Sequence, residues 1–357
     1  MNQATRIVGT GSVIPERVVP NSDFIHHTFV DEDGTPFPNT NDVIIEKFKK
    51  ITEIESRRYI REDQVSSDIA TEAAEKALAD AGWDREDFDL LIVGQNFGDV
   101  EHGSRHMDQM PSIASRVKHG LGIANPNCVA FDVLAGCPGW IQGVQVMEAY
   151  FRSGMAKRAL IVGADTLSRV VDYYDRNQMI FADGAGAVCF EYQEAPEGKG
   201  LLGLSSVTFS KDEALYLKSN PSNNPEIDRS ERLIKMSGRK IYEFALRHVP
   251  DAMKVALDDA GVHLKDVSKI FMHQANAKLD HAVGERLYKL YGMKADLAQT
   301  MPMSIQWLGN SSVATVPTLL DMVRKEHYQG HEVNEGDILL FASVGAGMNI
   351  NAFVYRV

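Results

Sequence analysis

The sequence predicts an α/β protein of two similar halves, with sheets covered by helices on both faces. Three observations carry that reading: continuous apolar runs of strand length, a helix-and-strand unit that occurs twice, and a turn-and-helix unit that also occurs twice.

The runs are Cys128–Leu134, Ala159–Ala164, Ala187–Tyr192 and Ile338–Ser343. They lack the polar alternation of a strand with one wet face, so they predict strands buried on both sides. The first repeat runs from Ala77-Leu78-Ala79-Asp80-Ala81-Gly82 through Asp87 to Leu91-Ile92-Val93-Gly94-Gln95. Its second copy runs from Ala256-Leu257-Asp258-Asp259-Ala260-Gly261 through Asp266 to Ile270-Phe271-Met272-His273-Gln274. One register, matching Ala81 to Ala260, brings Ala, Leu, Asp, Ala, Gly, Asp and Gln into coincidence. Each copy reads as a helix, a glycine C-cap, a short polar connection and a buried strand. Ser66-Ser67-Asp68 supplies a capping signal for the first helix.

The second repeat is a strand, a tight turn and a helix. It spans Val129–Leu134, Gly136-Cys137-Pro138-Gly139 and Trp140–Phe151, and it recurs around Gly309-Asn310-Ser311-Ser312 before Val313–Val323. Pro138 suits a first helical turn, where its missing N–H would be unpaired anyway. The predicted halves are residues 1–195 and 196–357, related by a pseudo-twofold axis. Phe29–Asn41 and Lys218–Asp228, rich in Pro, Gly, Asn and Asp, predict loops that could act as lids or specificity elements.

With 357 residues the chain can bury a large core, and 44% hydrophobic with 24% charged residues is ordinary for a globular protein. A net charge of −12 argues against a nucleic-acid or anionic-membrane surface, so an acidic partner would need a local basic patch. No apolar run approaches the ~20 residues that span a bilayer, and the N-terminus lacks the pattern of a secretory signal. A cytoplasmic location is expected. Cys128, Cys137 and Cys189 have neither disulfide-framework nor CxxC spacing, so no metal site is expected and a free thiol is left for chemistry.

Cys137 follows a buried strand and opens a helix, where the helix dipole favours thiolate over thiol. The alternative for any free cysteine is a small buried hydrophobe, and Cys128 and Cys189 are read that way. His273 ends a buried strand, at the sheet edge where active-site groups of α/β proteins gather; its repeat counterpart is Gly94, so one copy has gained an imidazole. A hydrogen-bonded structural histidine is the competing reading. Asn310 occupies the turn equivalent to that of Cys137, and its amide serves either the turn or a substrate carbonyl. Gly345-Ala346-Gly347 follows another buried strand and lets backbone come close to a substrate, where a free N–H can stabilise an oxyanion.

Taken together, these residues resemble the thiolase superfamily, most closely the beta-ketoacyl-acyl-carrier-protein synthase III group of initiating ketosynthases. The ordered match includes Ile7-Val8-Gly9-Thr10-Gly11, Pro111-Ser112, Phe131–Trp140, Val162-Gly163-Ala164-Asp165 and Ala182-Asp183-Gly184-Ala185-Gly186-Ala187. It continues through His273-Gln274-Ala275-Asn276, Gly309-Asn310-Ser311-Ser312 and Gly345-Ala346-Gly347. The resemblance implies a five-layered α-β-α-β-α fold and a ping-pong reaction. Cys137 would take an acyl group, with the backbone N–H groups of Cys137 and Ala346 holding the oxyanion. His273 and Asn310 would then stabilise the enolate left when a malonyl thioester loses CO2. No metal or redox cofactor is implied; coenzyme A or acyl-carrier-protein phosphopantetheine thioesters are the substrates. The family also implies a homodimer in which Met110 reaches the partner's acyl pocket. Gly345, Gly347, Arg57 and Lys278 are the remaining candidate substrate-binding residues.

Several positions depart from the family pattern. Thr52-Glu53-Ile54-Glu55 stands where the family carries a nucleotide-holding arginine, although Arg57 and Arg58 are kept. Glu243 stands where a carrier-docking lysine is common, while Arg239, Lys240 and Lys278 could still form a basic patch. A carrier-protein donor therefore gains weight over coenzyme A, and a specialised member making a dialkylresorcinol, a cyclohexanedione or another secondary metabolite is an alternative. So is a non-decarboxylative Claisen condensation, with Asp99 or Glu101 as the carboxylate base it would need. A non-catalytic, acyl-binding subunit is a further alternative, against which the retention of Cys137, His273 and Asn310 speaks.

Overall fold

A computed structural model describes residues 2–357. In chain order the strands are β1 (Asn2–Val13), β2 (Arg17–Pro20), β3 (Ser56–Tyr59), β4 (Leu90–Gly94), β5 (Val129–Val133), β6 (Arg158–Thr166), β7 (Asp183–Ala195), β8 (Gly200–Thr208), β9 (Leu217–Asn220), β10 (Leu233–Met236), β11 (Val267–Met272), β12 (Ile338–Gly345) and β13 (Asn349–Arg356). The helices are α1 (Asn41–Thr52), α2 (Ser66–Ala81), α3 (Ile113–Gly120), α4 (Gly139–Arg152), α5 (Gly238–Asp259), α6 (Ala277–Leu290), the single-turn α7 (Leu297–Thr300) and α8 (Ile305–Leu308), and α9 (Thr315–Glu326).

Two sheets dominate. The first runs β1-β7-β6-β4-β5 and the second β8-β13-β12-β11, so the first four positions of one repeat the order of the other. In both, the strand that follows the repeated helix pairs in parallel with its neighbour: β4 with β6, and β11 with β12. Helices α2 and α3 pack on the outer face of the first sheet, and α5 and α6 on the outer face of the second. Between the sheets lie α4 and α9, whose Trp140, Val144, Leu319 and Leu320 join one apolar cluster with Ile92 of β4, Phe341 of β12 and Phe353 of β13. This gives the five layers expected.

The repeated alanines have a packing reason. A Cβ on Gly9 of β1 would lie 2.5 Å from the Ala81 nitrogen, and one on Gly203 of β8 would lie 2.5 Å from the Ala260 nitrogen. Each outer helix thus crosses its strand at a glycine, and only small helix residues permit the approach. The repeated glutamines organise backbone. Gln95 accepts from Gly98 N–H at 2.7 Å, whereas Gln274 accepts from Ser304 and Ile305 N–H at 2.8 and 3.0 Å and donates to the Pro302 carbonyl at 2.8 Å.

Two expectations need correcting. No strand precedes the Asn310 turn: that segment holds Pro302, which lacks a ladder donor, and it folds as α8 with its backbone satisfied by Gln274. The second sheet therefore has no counterpart of β5. Within the predicted loop Lys218–Asp228, residues 218–220 belong to β9, which pairs antiparallel with β10. That hairpin is pinned by Lys235. Its ammonium is buried against Asp172, Asp175 at 3.3 Å and the Asn223 side-chain carbonyl at 2.6 Å.

Removing one side of a buried ion cluster leaves the other side's charge uncompensated, which costs about 3–5 kcal/mol. Lys235→Met is expected to lower the unfolding free energy by about 3 kcal/mol in a urea titration. An unchanged midpoint would show that the hairpin is held by other contacts.

Candidate active site

Cys137 sits at the turn between β5 and α4, where Gly136 adopts a left-handed φ of 69°. Its thiol lies at the N-terminal end of a fourteen-residue helix, which favours the thiolate. Burial works the other way and pushes the thiol up to about 12, opposed in part by a hydrogen bond from the Ser312 hydroxyl, whose oxygen is 3.4 Å from the sulfur. Burial therefore keeps the resting thiol protonated.

The β12–β13 turn presses on that of Cys137. A Cβ on Gly345 would lie 2.4 Å from the Cys137 nitrogen, and one on Gly136 would lie 2.4 Å from the Ala346 nitrogen. Because both positions are glycine, the two turns can pack this closely, and Cys137 and Ala346 line one cavity. Gly347 completes the turn in the left-handed region at φ 76°.

His273 follows β11, and its N–H continues the ladder by donating to the Ala342 carbonyl at 2.9 Å. Burial holds its imidazole down to about 4, with the Ser312 backbone offsetting part of the effect, so the ring is neutral at working pH. Its Nδ1 has no partner among the described residues, so the fold does not use up the ring's hydrogen-bonding capacity.

Asn310 is fixed from both halves. Its N–H donates to the Ile180 carbonyl at 2.9 Å, and its carbonyl accepts from Ala182 N–H at 2.8 Å. The side-chain Oδ1 accepts from Ser312 N–H at 2.8 Å. That bond sets which way the amide faces, leaving Nδ2 as its donor.

Cys137, His273, Asn310 and Gly345 line one chamber with Phe181, Leu217 and Met348. Ile180, Met236, Ile241, Ala275 and Leu279 line both this chamber and a wider mouth of about 760 Å³. Phe37, Pro38 and Asn39 of the predicted N-terminal loop also wall the mouth, with Lys47, Arg176 and Arg239 as its cations. On the other side of Cys137 a side chamber of about 190 Å³ is lined by Phe97, Leu167, Leu217 and Ile234, and also by Ala346.

Other candidates fall elsewhere. Arg57 is fully buried, and its guanidinium donates to the carbonyls of Met179 and Val19 and to the Asn21 side chain. It is a structural clamp, which corrects its reading as a substrate-binding residue. Lys278 is exposed on the first turn of α6, beside the mouth residues Asn276 and Leu279. Met110 is 87% exposed and lines neither the mouth nor either chamber. Asp99 is consumed by Ser67 and Arg116, and Glu101 is exposed, so neither supplies a base to the chamber. Glu55 pairs with Lys49 at 2.9 Å, and Glu243 with Arg239 at 2.9 Å.

Sequence reasoning missed Ser312. Its φ of 55° lies in the left-handed region, unusual for a serine, and nothing in a Gly-Asn-Ser-Ser run marks which serine bends that way. It also gave no role to Asp165, which closes the Val162-Gly163-Ala164-Asp165 motif and is buried beside Asn96 and Ser312 at the end of β6.

Comparison with known proteins identifies the family. Residues 131–208 match the family described as 3-Oxoacyl-[acyl-carrier-protein (ACP)] synthase III, and residues 257–357 match its C-terminal counterpart. The chain is 31% identical over 358 residues to the beta-ketoacyl-[acyl-carrier-protein] synthase III of Ruegeria pomeroyi, covering 98% of each. It is 33% identical to the protein of that name from Synechococcus sp. WH7803, covering 98% of this chain and 95% of that one. The crystal structure of 3-oxoacyl-[acyl-carrier-protein] synthase III from Aquifex aeolicus superposes with a TM-score of 0.79 at 27% identity, over 99% of this chain and 100% of that one. Family match, full-length identity and shape thus agree: the chain belongs to the 3-oxoacyl-[acyl-carrier-protein] synthase III family of the thiolase superfamily.

Proposed function

We propose that this protein is a condensing enzyme that joins an acyl group to a malonyl-derived two-carbon unit, by a reaction divided between the two sides of its chamber. The observation that carries the reading is the convergence of Cys137, His273 and Asn310 on one cavity, with the Cys137 and Ala346 turns pressed together at two glycines.

In the first half-reaction the Cys137 sulfur attacks the carbonyl of an acyl thioester, whose oxygen takes up negative charge. The N–H groups of Cys137 and Ala346 stabilise that oxyanion. The C–S bond of the donor then breaks, and the departing thiol leaves with a proton. In the second, a malonyl thioester enters through the mouth. Loss of CO2 places an electron pair on the former α-carbon, and the enolate oxygen is met by donors from the neutral His273 ring and Asn310 Nδ2. The carbanion attacks the acyl-cysteine, a carbon–carbon bond forms, and the Cys137 sulfur leaves. Decarboxylation generates the carbanion without a strong base, so this route calls for no metal or redox cofactor.

The donor is better read as a carrier-bound acyl chain than as coenzyme A. Arg57 is enclosed and Glu55 is committed to Lys49, while Lys47, Arg176 and Lys278 lie at or beside the mouth, available to an acidic carrier and its phosphopantetheine, with Arg239 there paired to Glu243. A second copy of the chain completes the assembly in this reading. Strand β5 is an edge strand with Val129 and Leu134 exposed, and Met110 projects free. A cytoplasmic setting agrees with the reduced cysteines; no helix among the described residues is long and apolar enough to cross a membrane.

Incubation with a panel of acyl-carrier and acyl-coenzyme A donors plus malonyl carrier, following CO2 and product mass, tests the reaction; a product retaining the malonyl carboxyl would refute it. Cys137→Ser is expected to abolish the acyl adduct seen by intact mass. His273→Ala is expected to acylate normally and to condense about 10²–10³-fold more slowly. Because His273 stays neutral down to about 4, condensation by pre-acylated enzyme should show no inflection near the ordinary imidazole value of 6.5. An inflection there would mean that the ring titrates in use. Met110→Asp is expected to convert a dimer to a monomer in sedimentation, and a variant that stays dimeric would remove Met110 from the interface.

A further inference from the structure

Three facts about Cys137 are left unused by this mechanism. Its thiol is protonated at rest, its sulfur is hydrogen-bonded by Ser312, and the neutral His273 has little affinity for the proton it must lose. Behind Ser312 lies a second buried group. The Asp165 carboxylate is 2% exposed; its Oδ1 accepts from Asn96 N–H at 3.0 Å and its Oδ2 from Asn96 Nδ2 at 2.7 Å. The Ser312 hydroxyl and the Val313 N–H also reach it. Asn96 Nδ2 lies 3.2 Å from the Ser312 oxygen as well. Among the described residues no cation pairs with Asp165; the groups facing it are Asn96 after β4, and Ser312 and Val313 before α9, with the Cys137 thiol as its titratable neighbour.

We propose that Asp165 is the proton acceptor for the Cys137 thiol, acting through the Ser312 hydroxyl. The hydrogen-bond count of Ser312 supports a relay. The hydroxyl that donates to the Cys137 sulfur at 3.4 Å can turn to donate to Asp165 instead, and the serine oxygen then accepts from Cys137 S–H and Asn96 Nδ2. As sulfur attacks, the S–H bond breaks and its proton joins the serine oxygen. The serine O–H proton passes to Asp165, and the new serine O–H donates to sulfur. Proton and electron pair balance without another reactant, and the acid so formed can return its proton to the departing thiol. Burial suits the carboxylate to this part, since it raises Asp165 to about 6, basic enough to accept near neutrality and still ionised there.

The inference rests on the condensing reading, and its test separates the two. Alkylation of Cys137 by iodoacetamide, followed by intact mass across pH, needs no acyl substrate. Wild-type reactivity is expected to rise through about 6 and then level off. Asp165→Asn should lose that plateau, its reactivity climbing about tenfold per pH unit. Single-turnover acylation at neutral pH should fall about 10²-fold in Asp165→Asn, and Ser312→Ala and the double variant should lose no more than about the same, as residues that act as a unit do. Decarboxylation of the malonyl thioester, which draws on His273 and Asn310, should stay within about threefold as a check on the fold. An unaltered alkylation profile in Asp165→Asn, or an equal loss of both half-reactions, would overturn the relay. Failure of the wild type to take an acyl group from any donor would instead overturn the condensing reading.

Discussion

The backbone of Ser312 is the constraint on which the site depends. At φ 55° it turns back sharply, and one residue then touches three residues of the chamber: its N–H holds Asn310, its backbone meets the His273 ring and its hydroxyl meets Cys137. A non-glycine residue in that region costs of order 1–3 kcal/mol and persists only where its surroundings over-determine it. Here they do. The preceding Asn310 is bridged to Phe181 of the first half, and the following Val313 is buried. Strain at one residue thus sets the positions of three side chains drawn from distant parts of the chain.

That precision needs a stiff frame, and the frame is the layer between the sheets. Trp140 is almost completely buried, donates to the Ile161 carbonyl at 3.1 Å and packs against Phe190, Phe341 and Phe353. It lies one helical turn from Cys137, so both sheets hold the helix whose start carries the nucleophile. Losing an aromatic of this size from a core costs about 3–5 kcal/mol. The Cys137 turn is also locked by glycines at Gly136 and Gly345, which leave no room for the junction to drift.

What the sequence made legible follows from periodicity and repetition. Buried strands appear as unbroken apolar runs, and the duplicated alanines and glutamines mark where helices cross strands and where loops are tied. Cys137, Asn310 and His273 could be placed because each closes a repeated unit. Ser312 and Asp165 could not, since a backbone angle and a carboxylate at a strand end leave no periodic trace. Arg57 misled for a related reason: a cation retained in a motif reads as a ligand, and only packing reveals a guanidinium spent on the carbonyls of Val19 and Met179. Local pattern likewise promised a strand before Asn310, where Pro302 and the Gln274 side chain dictate a different path.

The missing fifth strand has a bearing on how copies can associate. The first sheet ends in β5 with its outer backbone edge open, whereas β11, at the matching end of the second sheet, is followed by Gln274, which ties down the neighbouring segment, and carries Lys269, which donates to the Gln299 carbonyl at 2.9 Å. Duplication would otherwise have given each chain two equivalent adhesive borders, the geometry from which open-ended filaments grow. Divergence of one copy at this border leaves a single border to share, and a self-complementary contact made there closes on itself after one pairing. The same remodelling that delivers Asn310 to the chamber therefore also leaves one open border of this kind where strict duplication would have left two.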